Sequence, residues 1–502
     1  MVFENPIVRK ILEKYRAIWG ISHALSLMTW DSETYMPREG VRDRAIARAE
    51  LELLRQQLLL RPDLVELVEL ADSVESLNDY ERGVVRVLKR MIKIAKALPP
   101  WLVAERAKVT QEAMIVWREA KAKNNFDAFK PHLEKIFDLA RKTADYLGWE
   151  KHPYDALLDL YEEGLRTEDV DRILSYLKSE LKHIINRVLS EGKYPRTHPL
   201  EEVKYDVAKM EIINRKVLEL LGYPLGERSR LDVSAHPFTI DMGIFDVRIT
   251  TRYEGVDFKR TLTAVIHEFG HALYQLQIDP ALSYTPVSDG ASLGVHEGQS
   301  RFWENIIGRS REFIEYIYPV LREHLDFIAK YTPEEIYYYF NTVKPSLIRV
   351  DADEVTYNMH IVLRAELEKQ VLTGEVKVGD LPELWGNYME ELLGVKPRSH
   401  SEGVLQDIHW SMGSIGYFPT YTLGNIVAAM MRKTMMRKFN LYERIASGNF
   451  ASIREWQREK IHRYGAVYAP KELLMRSLGS EYRPEDLVEY LVEKYTTPTY
   501  LI

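Results

Sequence analysis

Apolar residues recur three and four positions apart along most of this chain, and that spacing constrains its fold more than any other feature. "VRKILEKYRAIWGISHALSLMTW", residues 8–30, carries the pattern. So do "LELLRQQLLL", 51–60, and "VDRILSYLKSELKHIINRVLSEG", 170–192. An interval of 3.6 residues places such positions on one helix face. The third helix is expected to start with Thr167 as its cap, with Glu168 and Asp169 in the first turn, where the dipole favours negative charge. Gly192 should end it. "TPEEIYYYFNTV" repeats the start signal, with Thr332 capping and Pro333 at the first helical position. Strand-like alternation is scarce. The best run is "FDVRITTRY", 245–253, where Phe245, Val247, Ile249 and Thr251 share a face. No internal repeat, low-complexity tract or Pro/Gly linker interrupts the pattern. The reading is a mostly α-helical protein, one large helical body over residues 1–502 with a small β-sheet just ahead of residue 263.

Composition narrows the partners. Of 502 residues, 68 are Lys or Arg and 75 Asp or Glu, a net charge of −7. That mildly acidic balance gives no hint of a nucleic-acid partner. No window reaches the roughly 18 uninterrupted apolar residues of a membrane span. The early charges of "MVFENPIVRKILEKY" do not read as a secretory signal, so a cytoplasmic location is expected. The chain has no cysteine. Any metal must therefore be held by His and carboxylates.

"TAVIHEFGHALYQL", 263–276, places such groups where an amphipathic surface helix would not. His267 and His271 are four residues apart and so lie on one helix face, one turn from each other. Both can bind one ion at about 2.0–2.1 Å. Glu268 is rotated by about 100° from His267 and can reach a water on that ion as a general base. Two histidines and a glutamate also occur by chance in solvated helix stripes. The flanks here are apolar, which such stripes are not. A catalytic zinc needs a third ligand and an open fourth position. "SLGVHEGQSRFWENIIG" follows a loop-like stretch, and a second helix there would bring Glu297 across the first. The plain alternative makes Glu297 an ordinary first-turn glutamate. His296 is a substrate-binding or packing residue on this reading.

These residues resemble the metallocarboxypeptidases named after Taq carboxypeptidase, the M32 family. The resemblance runs through "HPF" (236–238), "DVRIT" (246–250), "HEFGH" (267–271), "HEGQ" (296–299), "IRVDAD" (348–353) and "GVLQDIHW" (403–410), in that order. "WDSETYMP", 30–37, looks like the family's early signature. Together these span roughly residues 30 to 425. The resemblance implies a neurolysin-like and ACE-like helical fold with a deep active-site groove. An N-terminal helical region, about 1–230, would cover the groove, and the catalytic motifs would lie in 231–425. It implies a homodimer and removal of single residues from peptide C-termini.

On that basis His267, His271 and Glu297 hold Zn²⁺, with Co²⁺ also possible, and Glu268 moves the proton. His409 and Tyr417 are the implied oxyanion donors, with Tyr421 in reserve. Arg349 and Arg248 are candidates for binding the substrate carboxylate, since guanidinium pairs with carboxylate through two parallel hydrogen bonds. The structural alternatives are ion pairs of Arg349 with Asp351 or Asp353, and of Arg248 with Asp246. His236 is read as lining the site. Rival functions are a zinc oligoendopeptidase, an aminopeptidase, and a helical scaffold with a structural metal. A scaffold has no use for Glu268, and no acidic motif for a peptide N-terminus is evident.

Overall fold

The computed structural model describes residues 2–496. It is mostly helical, with one three-stranded sheet. Five helices frame the residues of interest: α1 (Pro6–Thr34), α2 (Tyr154–Tyr161), α3 (Phe258–Leu276), α4 (Leu293–Arg301) and α5 (Tyr357–Thr373). The strands are β1 (Ser229–Val233), β2 (Thr239–Asp241) and β3 (Val247–Thr251). The chain divides into two compact units. One gathers the chain up to Lys96, His198–Phe340 and Val427–Glu481; the other takes Ala97–Thr197, Asn341–Ile426 and the described chain from Tyr482.

In the first unit, α1 opens with Pro6 behind Asn5, whose Oδ1 accepts from the Ile7 N–H at 2.8 Å. Its stripe of Val8, Ile11, Tyr15 and Ile18 is buried with Leu64, Val68, Val84 and Leu88. Each such side chain contributes about 1.5–3 kcal/mol over leaving it exposed. The sheet order is β1-β3-β2, with β3 parallel to β1 and antiparallel to β2. Val247, Ile249 and Thr251 are buried as the alternation predicts. Phe245 is not on that face. It precedes the strand, is 49% exposed, and lies 5.0 Å from the Arg228 guanidinium.

Helix α3 is covered by β2, β3 and α4, and Leu262, Val265, Ile266, Phe269, Ala272 and Leu273 form one buried apolar face, with His267 and His271 on the opposite side of the helix. Gly270 sets the approach of α4. A Cβ there would come within 2.6 Å of Gln299 O and Ser300 Cα, so only glycine lets the two backbones touch. Ser292 caps α4 by accepting from the Val295 N–H at 3.1 Å. The helix then widens into a π-turn, Phe302–Ile307. Such turns re-aim side chains and are frequent at functional sites.

In the second unit, the helix Thr167–Glu191 starts one residue away from expectation. Arg166 is the capping residue, and Thr167 is helical. Its backbone N–H and hydroxyl are both taken by Asp155 of α2, at 2.7 and 2.6 Å. A buried carboxylate outcompeted the cap. Gly192 closes the helix in the left-handed conformation, as predicted. Back in the first unit, Thr332 and Glu335 cap the helix Pro333–Phe340 reciprocally. Helix α5 packs against Phe126–Leu147 and Thr167–Glu191. It buries His360, Arg364 and Glu368 completely. Among the described residues no helix is long and apolar enough to cross a membrane.

Candidate metal centre and a buried arginine cluster

The first unit brings His267, His271 and Glu297 together as the spacing predicts. Among the described residues they form the one group of His and carboxylate side chains that could hold a metal ion, with ligand atoms within 4.8 Å of one another. Glu297 Oε2 lies 3.7 Å from His267 Nε2 and 3.4 Å from His271 Nε2. Ligands at about 2.0–2.1 Å in a tetrahedron are separated by about 3.4 Å, so the geometry fits a small divalent ion. Glu297 sits in the second turn of α4 rather than the first, so the dipole alternative does not explain it.

The other polar atom of each of these three side chains is also held. His267 Nδ1 lies 2.8 Å from Glu304 Oε2, on the π-turn. His271 Nδ1 lies 2.9 Å from His296 Nδ1. Glu297 Oε1 accepts from Arg301 Nε at 2.7 Å. Arg301 also reaches Glu304 at 3.1 Å, and Arg309 takes that residue's other oxygen at 3.1 Å. Burial raises the Glu297 carboxyl, but Arg301, His267 and His271 outweigh it and hold it below the usual carboxylate range. Glu304 is held down in the same way, against burial, by Arg301, His267 and Arg309. Burial, then His271, push His296 down to about 3. It is neutral and can accept the His271 Nδ1 proton, leaving both histidines of the candidate site to present Nε2. His296 is thus an orienting group. Gln299 of "HEGQ" lies deeper: its Oε1 accepts from Gln457 at 3.1 Å and lies 2.8 Å from His462 Nε2, bracing α4.

Glu268 is buried on the neighbouring face of α3, and Thr239 of β2 donates to its Oε2 at 2.6 Å. Arg248 does not stand free in this unit. Asp246 takes its Nε and terminal nitrogen at 2.8 and 2.7 Å, and its guanidinium lies 4.3 Å from the Trp30 ring. Trp30, from the early signature, is therefore a stacking platform. His236 is exposed on the loop before β2, its carbonyl accepting from Ser234 at 2.5 Å.

The second unit holds Arg349, His409, Tyr417 and Tyr421. Arg349 pairs with neither Asp351 nor Asp353. Asp353 instead accepts from the Lys344, Val355 and Thr356 N–H groups at 2.9–3.0 Å. Arg349 Nε and a terminal nitrogen reach Asp407 Oδ1 at 3.0 and 2.9 Å, and its third nitrogen donates to Tyr357 at 2.9 Å. Arg364 takes the other Asp407 oxygen, Nε at 2.7 Å. Among the described residues, two buried guanidinium groups share one carboxylate. Gln406 Oε1 accepts from Arg364 at 2.8 Å and from the Arg349 N–H at 2.9 Å. His409 Nε2 lies 2.9 Å from the Tyr421 hydroxyl, and its ring is 5.3 Å from that of Tyr417. Burial pushes His409 down to about 4, with Arg349 and Arg364 adding to it against Asp407. It is neutral near pH 7, and its Nδ1 has no partner among the described residues.

Glu304, Arg301, Thr239 and Arg364 are not singled out by the sequence pattern. Glu304 had one signal, a carboxylate set in the apolar run "FWENII". Thr239 and Arg364 had none.

A family model described as carboxypeptidase Taq (M32) metallopeptidase matches residues 10–495. Thermostable carboxypeptidase 1 of Pyrococcus furiosus is 54% identical over 495 residues, 98% of this chain and 99% of that protein. Thermostable carboxypeptidase 1 of Thermus thermophilus is 37% identical over 500 residues, 97% and 98% of the two chains. The solved structure of a Pyrococcus furiosus carboxypeptidase superposes with a TM-score of 0.98 at 54% identity, covering 99% of this chain and 100% of that one. Metallocarboxypeptidase 1 of Trypanosoma cruzi gives 0.93 at 34% identity, over 98% and 99%. With most of its length matched by the family model and by relatives on both measures, this chain belongs to the carboxypeptidase Taq (M32) family of metallopeptidases.

Proposed function

We propose that the chain is a broad-specificity carboxypeptidase that removes single amino acids from peptide C-termini, with residues 1–502 acting as one peptidase domain. His267, His271 and Glu297 hold its divalent ion, which we take to be Zn²⁺, with Co²⁺ also accommodated. Such an ion supplies Lewis-acid polarisation of the scissile carbonyl and activation of a water. Glu268, steadied by Thr239, accepts the proton of the attacking water and returns it to the leaving amine. His409 and Tyr417 donate to the developing oxyanion, with Tyr421 holding the His409 ring. Neutral His409 has one N–H to give, and its unpartnered Nδ1 is free to carry it.

The observation that carries the exopeptidase reading is the pairing of Arg349 and Arg364 with the single carboxylate of Asp407. One positive charge in that cluster lacks an ionic partner among the described residues, and a peptide's terminal carboxylate supplies it. A guanidinium has five N–H groups, and Asp407 and Tyr357 engage three of those on Arg349. Two are left for a substrate. Arg248, already matched one to one by Asp246, is the second choice of anchor, and His236 the exposed residue assigned to lining. The enzyme is taken to work as a homodimer in the cytoplasm.

The test is digestion of a defined peptide by metal-loaded protein, followed by mass spectrometry. Stepwise loss from the C-terminus is expected, whereas internal fragments would mean an oligoendopeptidase. Glu268→Gln should bind metal as wild type does and lose about 10²–10⁴-fold in turnover. Near wild-type turnover of that variant at full metal occupancy would remove Glu268 from its role.

A further inference from the structure

Glu368 of α5 is completely buried, and three donors converge on it. Trp410 Nε1 donates to one carboxylate oxygen at 2.8 Å. The Gly416 N–H donates to the other at 3.0 Å, together with the Tyr154 hydroxyl of α2 at 2.6 Å. Each loop donor is the sequence neighbour of a proposed oxyanion donor: Trp410 follows His409, and Gly416 precedes Tyr417. The carboxylate therefore spans the two ends of the segment that carries both groups, one oxygen at each end. The packing leaves that segment little slack. Gly416 has φ +91°, and a Cβ on it would stand 3.0 Å from the Leu157 carbonyl carbon of α2. The Trp410 ring is wedged edge-on between Phe137 and Trp385, 5.9 and 5.8 Å away. A carboxylate in an apolar interior is costly unless its oxygens are satisfied, so its three donors and its position form one unit.

We propose that Glu368 is a positioning residue for hydrolysis, a clamp whose two oxygens fix residues 410 and 416 and so aim His409 and Tyr417. The proposal rests on the reading of those two residues as oxyanion donors. Its chemistry is geometric. An amide in place of the carboxylate offers one acceptor oxygen and a donor –NH₂. Tyr154 can turn its hydroxyl to accept, but neither Trp410 Nε1–H nor the Gly416 N–H can. One end of the segment therefore loses its acceptor in Glu368→Gln whichever way the amide turns.

Two measurements on the metal-loaded enzyme test this. The first is hydrogen exchange of peptides covering 409–417, which does not depend on activity. Glu368→Gln should exchange faster there than wild type, with no change over 258–276. The second is steady-state kinetics with metal content measured in parallel. Glu368→Gln should lower kcat by roughly 10- to 100-fold, the scale of an ångström-sized misplacement, with KM and bound metal nearly unchanged. Trp410→Phe, which keeps a smaller aromatic ring and deletes one loop donor, should lower kcat in the same direction, and Tyr154→Phe should do so less. These two variants decide the matter if Glu368→Gln does not fold. His409→Gln and Tyr417→Phe are run alongside. If they lose turnover while Glu368→Gln and Trp410→Phe keep wild-type kcat, the clamp is wrong and the oxyanion reading stands. If His409→Gln and Tyr417→Phe both turn over as wild type, the oxyanion reading falls, and the positioning role falls with it. Exchange at 409–417 then reports only whether Glu368 holds the loop.

Discussion

His267 is aimed by what its second nitrogen holds. Glu304 accepts the Nδ1 proton at 2.8 Å, which fixes the tautomer, points Nε2 at the ion position and makes the imidazole a stronger donor to a metal. Arg301 and Arg309 keep Glu304 ionised in a buried place. Glu304→Gln preserves the shape and removes the charge, so it should weaken metal binding by about 10–100-fold, read by competition with a chelator. Glu268→Gln, which touches no ligand, should match wild type in the same assay. Equal affinity in Glu304→Gln and wild type would reduce Glu304 to a packing group. At this scale the sequence was readable where the chemistry is local. His267, His271 and Glu268 share one helical turn. Glu297 is picked out because a metal with two histidines and no cysteine demands another ligand, and the fold brings it beside both histidines. Thr239 and Arg364 were not, because a hydroxyl or guanidinium acquires a role only through a partner distant in sequence.

Helix α5 shows what pattern reading misses at the scale of elements. Its polar residues look like those of a solvated face, yet Arg364 and Glu368 are wholly buried and each satisfied by several partners. Periodicity reports where apolar residues recur and is silent about polar ones that fold inward as a network. The same limit moved the cap from Thr167 to Arg166, since Asp155 lies outside the local window. It also left Gly270 unexplained until α4 lay against it. Burial of Glu368 has a measurable consequence. It pushes the carboxyl up to about 7, against its donors and Arg364. The native state therefore binds the proton more tightly than the unfolded chain does. This contribution to stability is fully present below about pH 4.5 and is lost as pH rises through about 7. At about 1.4 kcal/mol per pH unit the loss is on the order of 3 kcal/mol. Glu368→Gln has no such group. The stability of wild type relative to Glu368→Gln, measured by denaturant unfolding, should fall by that amount between pH 4.5 and 8. A pH-independent difference would mean that Glu368 stays ionised throughout.

For the molecule as a whole, the deciding question is whether it reads the end of a peptide. An unpaired charge in a low-dielectric site is strongly disfavoured, so a terminal carboxylate must meet a cation. Arg349 and Arg364 divide one aspartate between them, and their roles differ. Arg364 spends its donors on Asp407, Gln406 and the His360 carbonyl, which keeps Asp407 neutralised whatever Arg349 does. Arg349 keeps two N–H groups in reserve. Removing its charge should damage binding of free-acid peptides, since truncating one member of a buried charge pair costs about 2–5 kcal/mol. That corresponds to roughly 30- to several-thousand-fold in kcat/KM at about 1.4 kcal/mol per decade. Wild type should also cleave a free-acid peptide far better than the same peptide with an amidated end, and Arg349→Ala should distinguish them much less. The ratio of kcat/KM for the acid and amide pair, taken on both proteins, cancels general damage to the fold. Equal cleavage of the pair by wild type would replace the carboxypeptidase with an oligoendopeptidase. Discrimination as strong in Arg349→Ala as in wild type would keep the activity and move the anchor to Arg248, whose pairing with Asp246 would then have to open for substrate.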